Sequence, residues 1–430
     1  MSNFIPWQVK HLELGEGIPA LQLEQGYQGL YVVFWWNGVP LGERKIPAIE
    51  LPITAADLAN SIAEEIELAV GDRYITGYKM LLPEHSVECS SKLPSLQDLV
   101  NLDLPLTKQT QNQSRSTNTA EISVVICTRD RPEQLAKCLE MLQTLSPQPK
   151  EILVVDNAPA TNETRQLVSQ ISNISYVLEP RPGLDIARNT GIAHSTGEIV
   201  AFTDDDVVIH SGWLASLQKG FENPQVMAVT GLVLPAELET ESQVIFEWGH
   251  GCFGWGYLRK TFDRQFFQAT KHFGSPVWSI GAGANMAFRR EIFARVGNFD
   301  ERLDMGAAGC SGDSEMWYRI LAEGGMCHYE PAAVVFHYHR KDLNGLKKQM
   351  YHYMRGHVTA SFVQFAKYRH WGNIYHIFCS LPVHYLKSFL RGLLKGYQPK
   401  HKTYLSEILG CLAGIQFYFQ HRVKSNHNER

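Results

Sequence analysis

The strongest constraint on the fold is a regular alternation of short β-branched apolar runs with helical patterns after about residue 120. The repeat distance is roughly 25 to 30 residues, as expected for βαβ units, which build a parallel sheet covered by helices. Ligands of such sheets bind beyond the carboxyl ends of the strands. The predicted fold class is therefore α/β, with a Rossmann-like, mostly parallel sheet. Strands are predicted at 122–127, 152–155, 174–178 and 198–203, and helices from Pro132, over 164–171 and over 184–194.

Changes in composition divide the 430 residues into four segments. The first is rich in aromatic and β-branched residues, has a turn signal at Asn37-Gly38 and continues into a helical pattern over 55–70. The second contains the run TKQTQNQSRSTNT, which has no apolar side chain to repay the entropy of ordering. The predicted boundaries are 1–105 for a strand-rich N-terminal module, 106–120 for a linker, 121–340 for the α/β domain and 341–430 for a basic helical C-terminal extension.

Composition indicates an ordinary globular protein, because 44% of residues are hydrophobic and 20% are charged. Disordered, collagen-like and coiled-coil classes are excluded on this basis. The eight cysteines include no C-x-x-C pair, which favours a reducing compartment. The first ten residues lack the pattern of a secretory signal, and no window supplies about 20 consecutive apolar residues for a membrane span. These features predict a cytoplasmic location.

The charge is unevenly distributed. From Arg340 onward 15 Lys and Arg face 3 Asp and Glu, a net +12, while residues 1–339 carry −16. Residues 371–397 interleave apolar side chains with Lys387, Arg391 and Lys395. Such a helix either lies peripherally in a membrane interface, on the inner face, or packs on the acidic body or another subunit, and the sequence leaves both interpretations open. Nucleic acid is not a predicted partner, because no nucleic-acid-binding fold accompanies the charge.

The most informative motif is Asp204-Asp205-Asp206, which follows the apolar run 199–202 directly. Three adjacent carboxylates repel one another, so a cluster at the mouth of a buried strand requires a compensating cation or hydrogen-bond donors. A divalent ion that also binds substrate phosphates would provide this compensation. The alternative is a solvated acidic turn, but the position at a strand's carboxyl end favours a metal site.

The other predicted strands also end in polar residues. Thr128 and Arg129 follow the first strand, Asp156 ends the second, and Arg188 lies beyond the third. A carboxylate can accept a hydrogen bond from a base or a ribose, and an arginine can neutralise a pyrophosphate. The alternatives are a helix cap for Asp156 and, for Arg188, an ion pair with Asp185 three residues earlier on the same helix.

Two glycines and two histidines lie further along the chain. Gly281 and Gly283 precede Asn285 and permit close backbone approach, which fits either a sugar-binding loop or a tight turn without a ligand. The run 336–339 ends an apolar stretch and contains His337 and His339. Either histidine is also compatible with a purely structural role, in which its ring nitrogens are hydrogen-bonded within the protein.

Together these residues resemble family 2 glycosyltransferases, which have the GT-A fold. The runs SVVICTRDRPEQL, EILVVDNAP and GLDIARNTGIAHSTGEIVAFTDDDV are similar to the family's nucleotide-sugar domain. The runs GAGANMAFRREIFARVGNFDE and GDSEMWYRILAEGG resemble its acceptor-side segments. The resemblance covers about residues 121–340 and implies a GT-A sheet and sugar transfer from a nucleoside diphosphate sugar.

The resemblance implies a role for each matching position. The donor nucleotide is assigned to the side chains after the first four strands, and the metal, Mn²⁺ or Mg²⁺, to the acidic triplet with one imidazole. The catalytic base is assigned to Asp313, within GDSEMWYR. The implied residues are Thr128, Arg129, Asp156, Arg188, Asp204 and Asp205 for the donor, Asp204, Asp206 and His339 for the metal, and Gly283, Asn285 and Arg319 for the acceptor.

Two positions depart from the family pattern. The glutamate expected before Asp313 is Gly312, and the second aspartate expected after Asp156 is Asn157. The implied function is a metal-dependent inverting glycosyltransferase acting on a carbohydrate or lipid-linked acceptor in polysaccharide, glycolipid or other glycoconjugate synthesis. The alternatives are a sugar-nucleotide nucleotidyltransferase, which would need a glycine-rich loop absent from 127–132, and a catalytically silent carbohydrate-binding protein.

Overall fold

The computed structural model describes residues 4–74, 120–250, 253 and 255–421. Within these ranges the helices and strands alternate through most of the chain, and the predicted strands and helices of the α/β region are present. The predicted linker lies outside the described residues except for its last residue, Ala120, which begins a strand. The strands are β1 (Trp7–Glu13), β2 (Gly29–Trp36), β3 (Val39–Pro47), β4 (Ala120–Thr128), β5 (Pro149–Asn157), β6 (Ile174–Glu179), β7 (Ile199–Asp204), β8 (Val207–Ile209), β9 (Val226–Pro235), β10 (Lys260–Phe262), β11 (Asn285–Arg289) and β12 (Met326–His337).

The helices follow the apolar periodicity of their segments. Residues 245–249 and 376–380 are π-helical turns, and each directly follows a short α-helix. The α-helices are α1 (Ala55–Tyr74), α2 (Pro132–Gln143), α3 (Glu163–Ser169), α4 (Leu184–His194), α5 (Trp213–Gly220), α6 (Glu241–Val244), α7 (Arg264–Thr270), α8 (Glu291–Val296), α9 (Gly312–Ala322), α10 (Leu343–Tyr368), α11 (Trp371–Tyr375), α12 (Leu381–Lys395) and α13 (Tyr404–His421).

A nine-stranded mixed sheet organises the α/β region, in the order β10-β12-β9-β11-β7-β4-β5-β6, with β8 paired to β12. The four strands β7, β4, β5 and β6 run parallel, as the βαβ pattern predicts. Strand β11 is antiparallel to both of its neighbours. The predicted α/β class is therefore confirmed, and the carboxyl ends of the parallel strands lie along one edge.

The sheet is buried on both faces. Along β4, Val125 packs into one apolar core with Leu153 and Phe202, whereas Val124 and Ile126 pack into a second core beneath α2. Successive side chains of a strand point to opposite faces, so a strand covered by helices on both sides is apolar throughout. This burial explains why the sequence shows continuous β-branched runs instead of a polar-apolar alternation.

The N-terminal strands form a separate three-stranded sheet, in which β2 pairs in parallel with β1 and antiparallel with β3. Asn37 and Gly38 connect β2 and β3 and both have positive φ, as the turn signal predicts. Every residue of β2 is buried. One face, with Tyr31, Val33 and Trp35, belongs to the same core as the α/β region, and the other face packs against α1.

The C-terminal segment is helical, as predicted. Helix α13 packs closely along α10, because Gly410 and Gly414 bring its backbone against the carbonyl groups of Tyr351 and Arg355. None of the helices in the described ranges combines the length and the apolar character needed to cross a bilayer.

Candidate active site

The acidic triplet lies at the carboxyl edge of the sheet. Asp204 is the last residue of β7 and pairs with Cys127 on β4, and Asp205 and Asp206 form the turn into β8. The side chain of Asp205 is buried, whereas that of Asp206 is 21% exposed. Burial, followed by repulsion from Asp206, raises the pKa of Asp204 to about 7. A cation placed between these carboxylates would relieve this repulsion.

Arg131 partly compensates the triplet, and the sequence assigned it no role. Its Nη1 lies 3.1 Å from Asp205 Oδ1 and 3.1 Å from Asp206 Oδ2. Asp205 also accepts a 2.6 Å hydrogen bond from the hydroxyl of Thr128. Thr128 and Asp205, both predicted to bind the donor nucleotide, are therefore hydrogen-bonded to each other. This bond connects the end of β4 to the turn that follows β7. The only signal for Arg131 was its place in the polar run after β4.

The histidine nearest the triplet is His337, not His339. His337 Nε2 lies 3.9 Å from Asp206 Oδ1, and burial lowers the pKa of His337 to about 4, so its imidazole is neutral. His339 instead contacts Glu247 through Nε2, at 2.8 Å, and His337 through Nδ1, at 3.0 Å. The prediction of His339 as a metal ligand is corrected accordingly. The cause is the antiparallel pairing of β8 with β12, which places His337 opposite Val207.

Asp156, at the end of β5, has one carboxylate oxygen that accepts no hydrogen bond within the described residues. Its Oδ2 accepts a 2.9 Å hydrogen bond from Tyr176, while its buried Oδ1 has no partner within the described part of the chain. A buried carboxylate oxygen without a donor is costly, which favours a ligand donor at this point. Burial raises the pKa of Asp156.

Asn157 explains one departure from the family pattern. Its amide donates to the carbonyl of Arg181 at 2.8 Å and accepts from the backbone N–H of Gly183 at 2.9 Å. An ionised aspartate only accepts and could not make both bonds. Asn157 therefore shapes the loop before α4. Arg129, by contrast, has a side chain 55% exposed, 3.8 Å from Asp130, and this structure gives it no contact with the triplet.

Arg188 lies at the centre of the site. Its Nη1 contacts Asp185 at 2.9 Å and Asp304 at 2.7 Å, so the ion pair considered as the alternative is present. Burial lowers the pKa of Arg188, but the charges of Asp304, Asp185, Asp204 and Asp313 outweigh it and raise the value well above its usual range. The negative charges of Asp204 and Asp313 therefore both favour the protonated guanidinium of Arg188.

Gly283 shows directly how closely Asp313 and Arg188 approach each other. A β-carbon at Gly283 would lie 2.7 Å from Arg188 Nη2 and 3.2 Å from Asp313 Oδ2. A larger residue would displace one of these groups, so glycine is required by close approach. The predicted base, the arginine and the glycine loop thus meet in one place.

Asp313 is partly buried at the start of α9. Its Oδ1 accepts hydrogen bonds from the backbone N–H of Ser314, at 2.6 Å, and from the Ser314 hydroxyl, at 3.2 Å. Burial, and next the charge of Asp304, raise the pKa of Asp313. Its Oδ2 faces Gly283 and is not used in those bonds, which leaves one oxygen available to a hydroxyl.

Gly312 explains the second departure from the family pattern. A β-carbon there would lie 2.1 Å from Asp185 Oδ2, so the carboxylate of Asp185 occupies the space that a side chain would need. That oxygen is buried and without a partner within the described residues. A carboxylate is therefore present beside Asp313, although it is contributed by α4 and not by the preceding residue.

Two predicted acceptor residues have structural roles instead. Asn285 is fully buried, donates to the carbonyls of Leu232 and Ala333, and accepts from the indole of Trp213. Arg319 is buried, binds Glu315 and donates to the carbonyls of residues 296–298. Both side chains are committed to these bonds, so neither remains a candidate for acceptor binding.

A metal ion at this site would need ligands from the substrate in addition to those from the protein. In the ranges that the structure describes, no three His, Cys, Asp or Glu side chains converge to hold an ion by themselves. Mg²⁺ commonly binds through one or two carboxylates together with substrate phosphates. Asp206, Asp204 and the neutral His337 fit that arrangement, because Asp204 and Asp206 repel each other and His337 Nε2 lies 3.9 Å from Asp206 Oδ1.

Comparison with known proteins identifies the domain to which the strands of this edge belong. Residues 123–297 match the family model described as glycosyl transferase family 2. Residues 123–297 therefore carry a glycosyl transferase family 2 domain, and the predicted resemblance is confirmed for this segment.

Among curated proteins, the chain is 29% identical to the pre-mycofactocin glycosyltransferase of Mycobacterium tuberculosis, over 52% of this chain and 44% of that protein. It is 26% identical to the succinoglycan biosynthesis protein ExoM of Rhizobium meliloti, over 50% of this chain and 66% of that protein. The aligned region thus spans about half to two thirds of these relatives. A solved mannosyltransferase from Pyrobaculum calidifontis, in complex with GDP-Man and Mn²⁺, is 18% identical with a TM-score of 0.47, over 74% of this chain and 94% of that chain.

Proposed function

We propose that the protein transfers a sugar from a nucleoside diphosphate sugar to an acceptor hydroxyl, with inversion and with a divalent metal, in the synthesis of a glycoconjugate. The observation that carries the proposal is the position of Arg188. The charges of Asp204 and Asp313 both raise the pKa of Arg188, and a β-carbon at Gly283 would lie 2.7 Å from Arg188 and 3.2 Å from Asp313. These relations support the proposal that the two sets of acidic residues form one site.

The donor nucleotide is assigned to the edge formed by β4, β5 and β7. The free Oδ1 of Asp156 would accept a hydrogen bond from the base or the ribose, and Asp204 would face the ribose and phosphates. Asp206, with Asp204 and His337, would hold Mn²⁺ or Mg²⁺. When bound, that ion supplies positive charge to the departing diphosphate.

Asp313 is assigned the role of general base. A general base must lie within hydrogen-bond reach of the hydroxyl and have a pKa nearer the working pH than an exposed aspartate. The raised pKa of Asp313 meets the second condition, and its Oδ2 is directed toward the Gly283 loop. One-step attack from the side opposite the diphosphate would invert the anomeric carbon. The positive charge of neighbouring Arg188 would favour the ionised form of Asp313.

The acceptor is proposed to be a carbohydrate or a lipid-linked glycan, and contact of the C-terminal helices with a membrane surface is included in the proposal. A nucleotidyltransferase is disfavoured, because residues 127–132 contain no glycine to cradle a triphosphate. A silent sugar-binding protein would bind the donor without turnover.

The substitution Asp313→Asn tests this proposal. Nucleotide binding should persist while transfer slows by roughly 10²- to 10⁴-fold, the usual contribution of a general base. Release of nucleoside diphosphate from a panel of nucleoside diphosphate sugars, with Mn²⁺ and candidate acceptors, measures the rate. Asp57→Asn, an exposed site on α1, is the matched control and should retain the rate. An unchanged rate in Asp313→Asn would remove this residue from its role.

A further inference from the structure

Exposed apolar side chains are concentrated in the C-terminal helices. Of the twenty-three large apolar side chains exposed in the described ranges, fifteen lie between residues 371 and 419. A concentration of exposed apolar side chains in one segment is typical of an interaction site. We define the apolar face as the exposed side chains of α12 and α13, which are Val383, Leu386, Phe389, Leu390, Leu393, Leu394, Leu405, Ile408, Leu409, Leu412 and Phe419.

Helix α12 uses its polar side for packing and turns its apolar side outward. Tyr385 donates to Glu407 of α13 at 2.9 Å, and Ser388 lies 2.9 Å from the hydroxyl of Tyr404. The apolar positions recur at intervals of three and four residues on the opposite side, where Leu393 is 59% and Leu394 is 85% exposed. A surface helix of a globular protein normally buries its apolar stripe against the core. Helix α12 instead exposes its apolar stripe and packs with its polar side.

Helix α13 repeats this arrangement. Its inner side carries Gly410, Gly414 and Tyr418, which pack against α10 or its neighbours. Its outer side carries Leu405, 70% exposed, and Leu412, 59% exposed. The inner surfaces of both helices are thus already committed to the protein, and the apolar face is what remains outside.

The charges beside the apolar face have one sign. Lys387, Arg391 and Lys395 are exposed and lie four residues apart, which forms a line along α12. The only carboxylate in residues 371–421 is Glu407, which is buried and accepts hydrogen bonds from Thr403 and Tyr385. A second copy of this face would therefore bring cations against cations.

We propose that the apolar face docks on an anionic lipid bilayer, with the leucines and aromatics in the interface and the three cations against acidic headgroups. An interfacial helix with an apolar face bordered by Lys and Arg has this property. The inference deepens the proposed function by placing the enzyme beside a lipid-linked acceptor, but docking itself requires no transfer. The sequence of residues 1–339 carries −16 and the remainder +12, so an anionic surface attracts the C-terminal segment and repels the body.

Cosedimentation with vesicles tests the docking. The full chain is mixed with phosphatidylcholine vesicles that contain or lack phosphatidylglycerol, and the bound fraction is measured. We expect binding to the anionic vesicles that weakens with added salt, and about 10- to 100-fold weaker binding after Lys387→Gln, Arg391→Gln and Lys395→Gln are combined. Leu390→Glu with Leu393→Glu should lose binding while retaining the circular dichroism spectrum and melting temperature.

Ile49→Glu with Leu178→Glu is the matched control, because both side chains are exposed, at 93% and 54%, and lie outside the apolar face. It makes the same change of net charge and should retain vesicle binding. Asp313→Asn should also bind vesicles, so a failure of docking and a failure of the proposed catalysis are separable. Absence of wild-type binding to anionic vesicles, equal loss in the control, or a dimer in sedimentation velocity that Leu390→Glu abolishes would each overturn the proposal.

Discussion

At the scale of single residues, the site depends on a few acidic groups whose charges are not fully compensated by the protein. Asp204, Asp205 and Asp206 are adjacent in sequence, and Arg131 is the cation that contacts two of them. Asp185, Asp304 and Asp313 come from three other segments and surround Arg188. The mutual repulsion of Asp204 and Asp206 is the basis of the metal proposal.

Asp206→Ala should abolish the increase in nucleotide affinity that Mn²⁺ provides. The reason is that Asp206 has a partly exposed side chain and would be a direct ligand of the ion. Calorimetric titration of a nucleoside diphosphate with and without Mn²⁺ measures the effect. Glu133→Ala, an exposed acid on α2, should retain the increase. A Mn²⁺ effect that persists in Asp206→Ala would place the ion elsewhere.

Gly312→Glu should not restore the family pattern but should damage the site. The new side chain would collide with the carboxylate of Asp185, which contacts Arg188, and we expect transfer to fall by at least about 10-fold. Gly15→Ala is the control, because the nearest atoms to its β-carbon would be 3.6 Å away. Partial recovery in the double variant Gly312→Glu with Asp185→Ala would show that the two positions compete for one space. Full activity in the single variant would contradict this interpretation.

At the scale of elements, the C-terminal helices are attached to the α/β region through buried histidines. His357 of α10 and His376 lie with their Nε2 atoms 2.8 Å apart, and Trp278 stands against both rings. Burial, and then the neighbouring histidine, lower the pKa of His357 to about 3, and burial lowers that of His376 to about 4. Both imidazoles are therefore neutral in the folded protein at neutral pH.

This pair predicts a loss of stability in mild acid. The unfolded chain binds protons at these histidines below about pH 6.5, while the folded chain does not until about pH 4, so the free energy of unfolding falls as the pH falls from 6.5 toward 4. His357→Gln should make the melting temperature less sensitive to pH in this window. His421→Gln, at an exposed site on α13, should keep the wild-type pH dependence. An equal slope in His357→Gln and the wild type would exclude the pair as a source.

At the scale of the whole molecule, the N-terminal strands and the α/β region share one apolar core. Trp35 of β2 stacks on His210, with ring centroids 4.9 Å apart, and donates to His11 at 3.0 Å. Arg73 at the end of α1 forms a 2.8 Å ion pair with Glu330 on β12. The sequence divides these regions by composition, but their packing couples them.

Trp35→Ala should destabilise both regions together, by about 3 to 5 kcal/mol, the usual cost of truncating a buried aromatic. Differential scanning calorimetry should show one transition, shifted to lower temperature in the variant. Ile49→Ala, which truncates a side chain that is 93% exposed, should leave the transition in place. Two separate transitions in the wild type, with only one shifted by Trp35→Ala, would contradict a shared core.

The sequence alone determined the alternation of strands and helices, the parallel part of the sheet and the resemblance of one segment to a glycosyltransferase family, because these follow from local periodicity and from contiguous motifs. It also determined the position of the triplet, since a strand end can be read from the residues before it. The choice of His337 over His339, the core role of Asn285 and the occupation of the space beside Gly312 by Asp185 were decided only by the tertiary structure. Each depends on strand register or on contact between segments distant in sequence, and neither property is encoded by the residues immediately around the side chain.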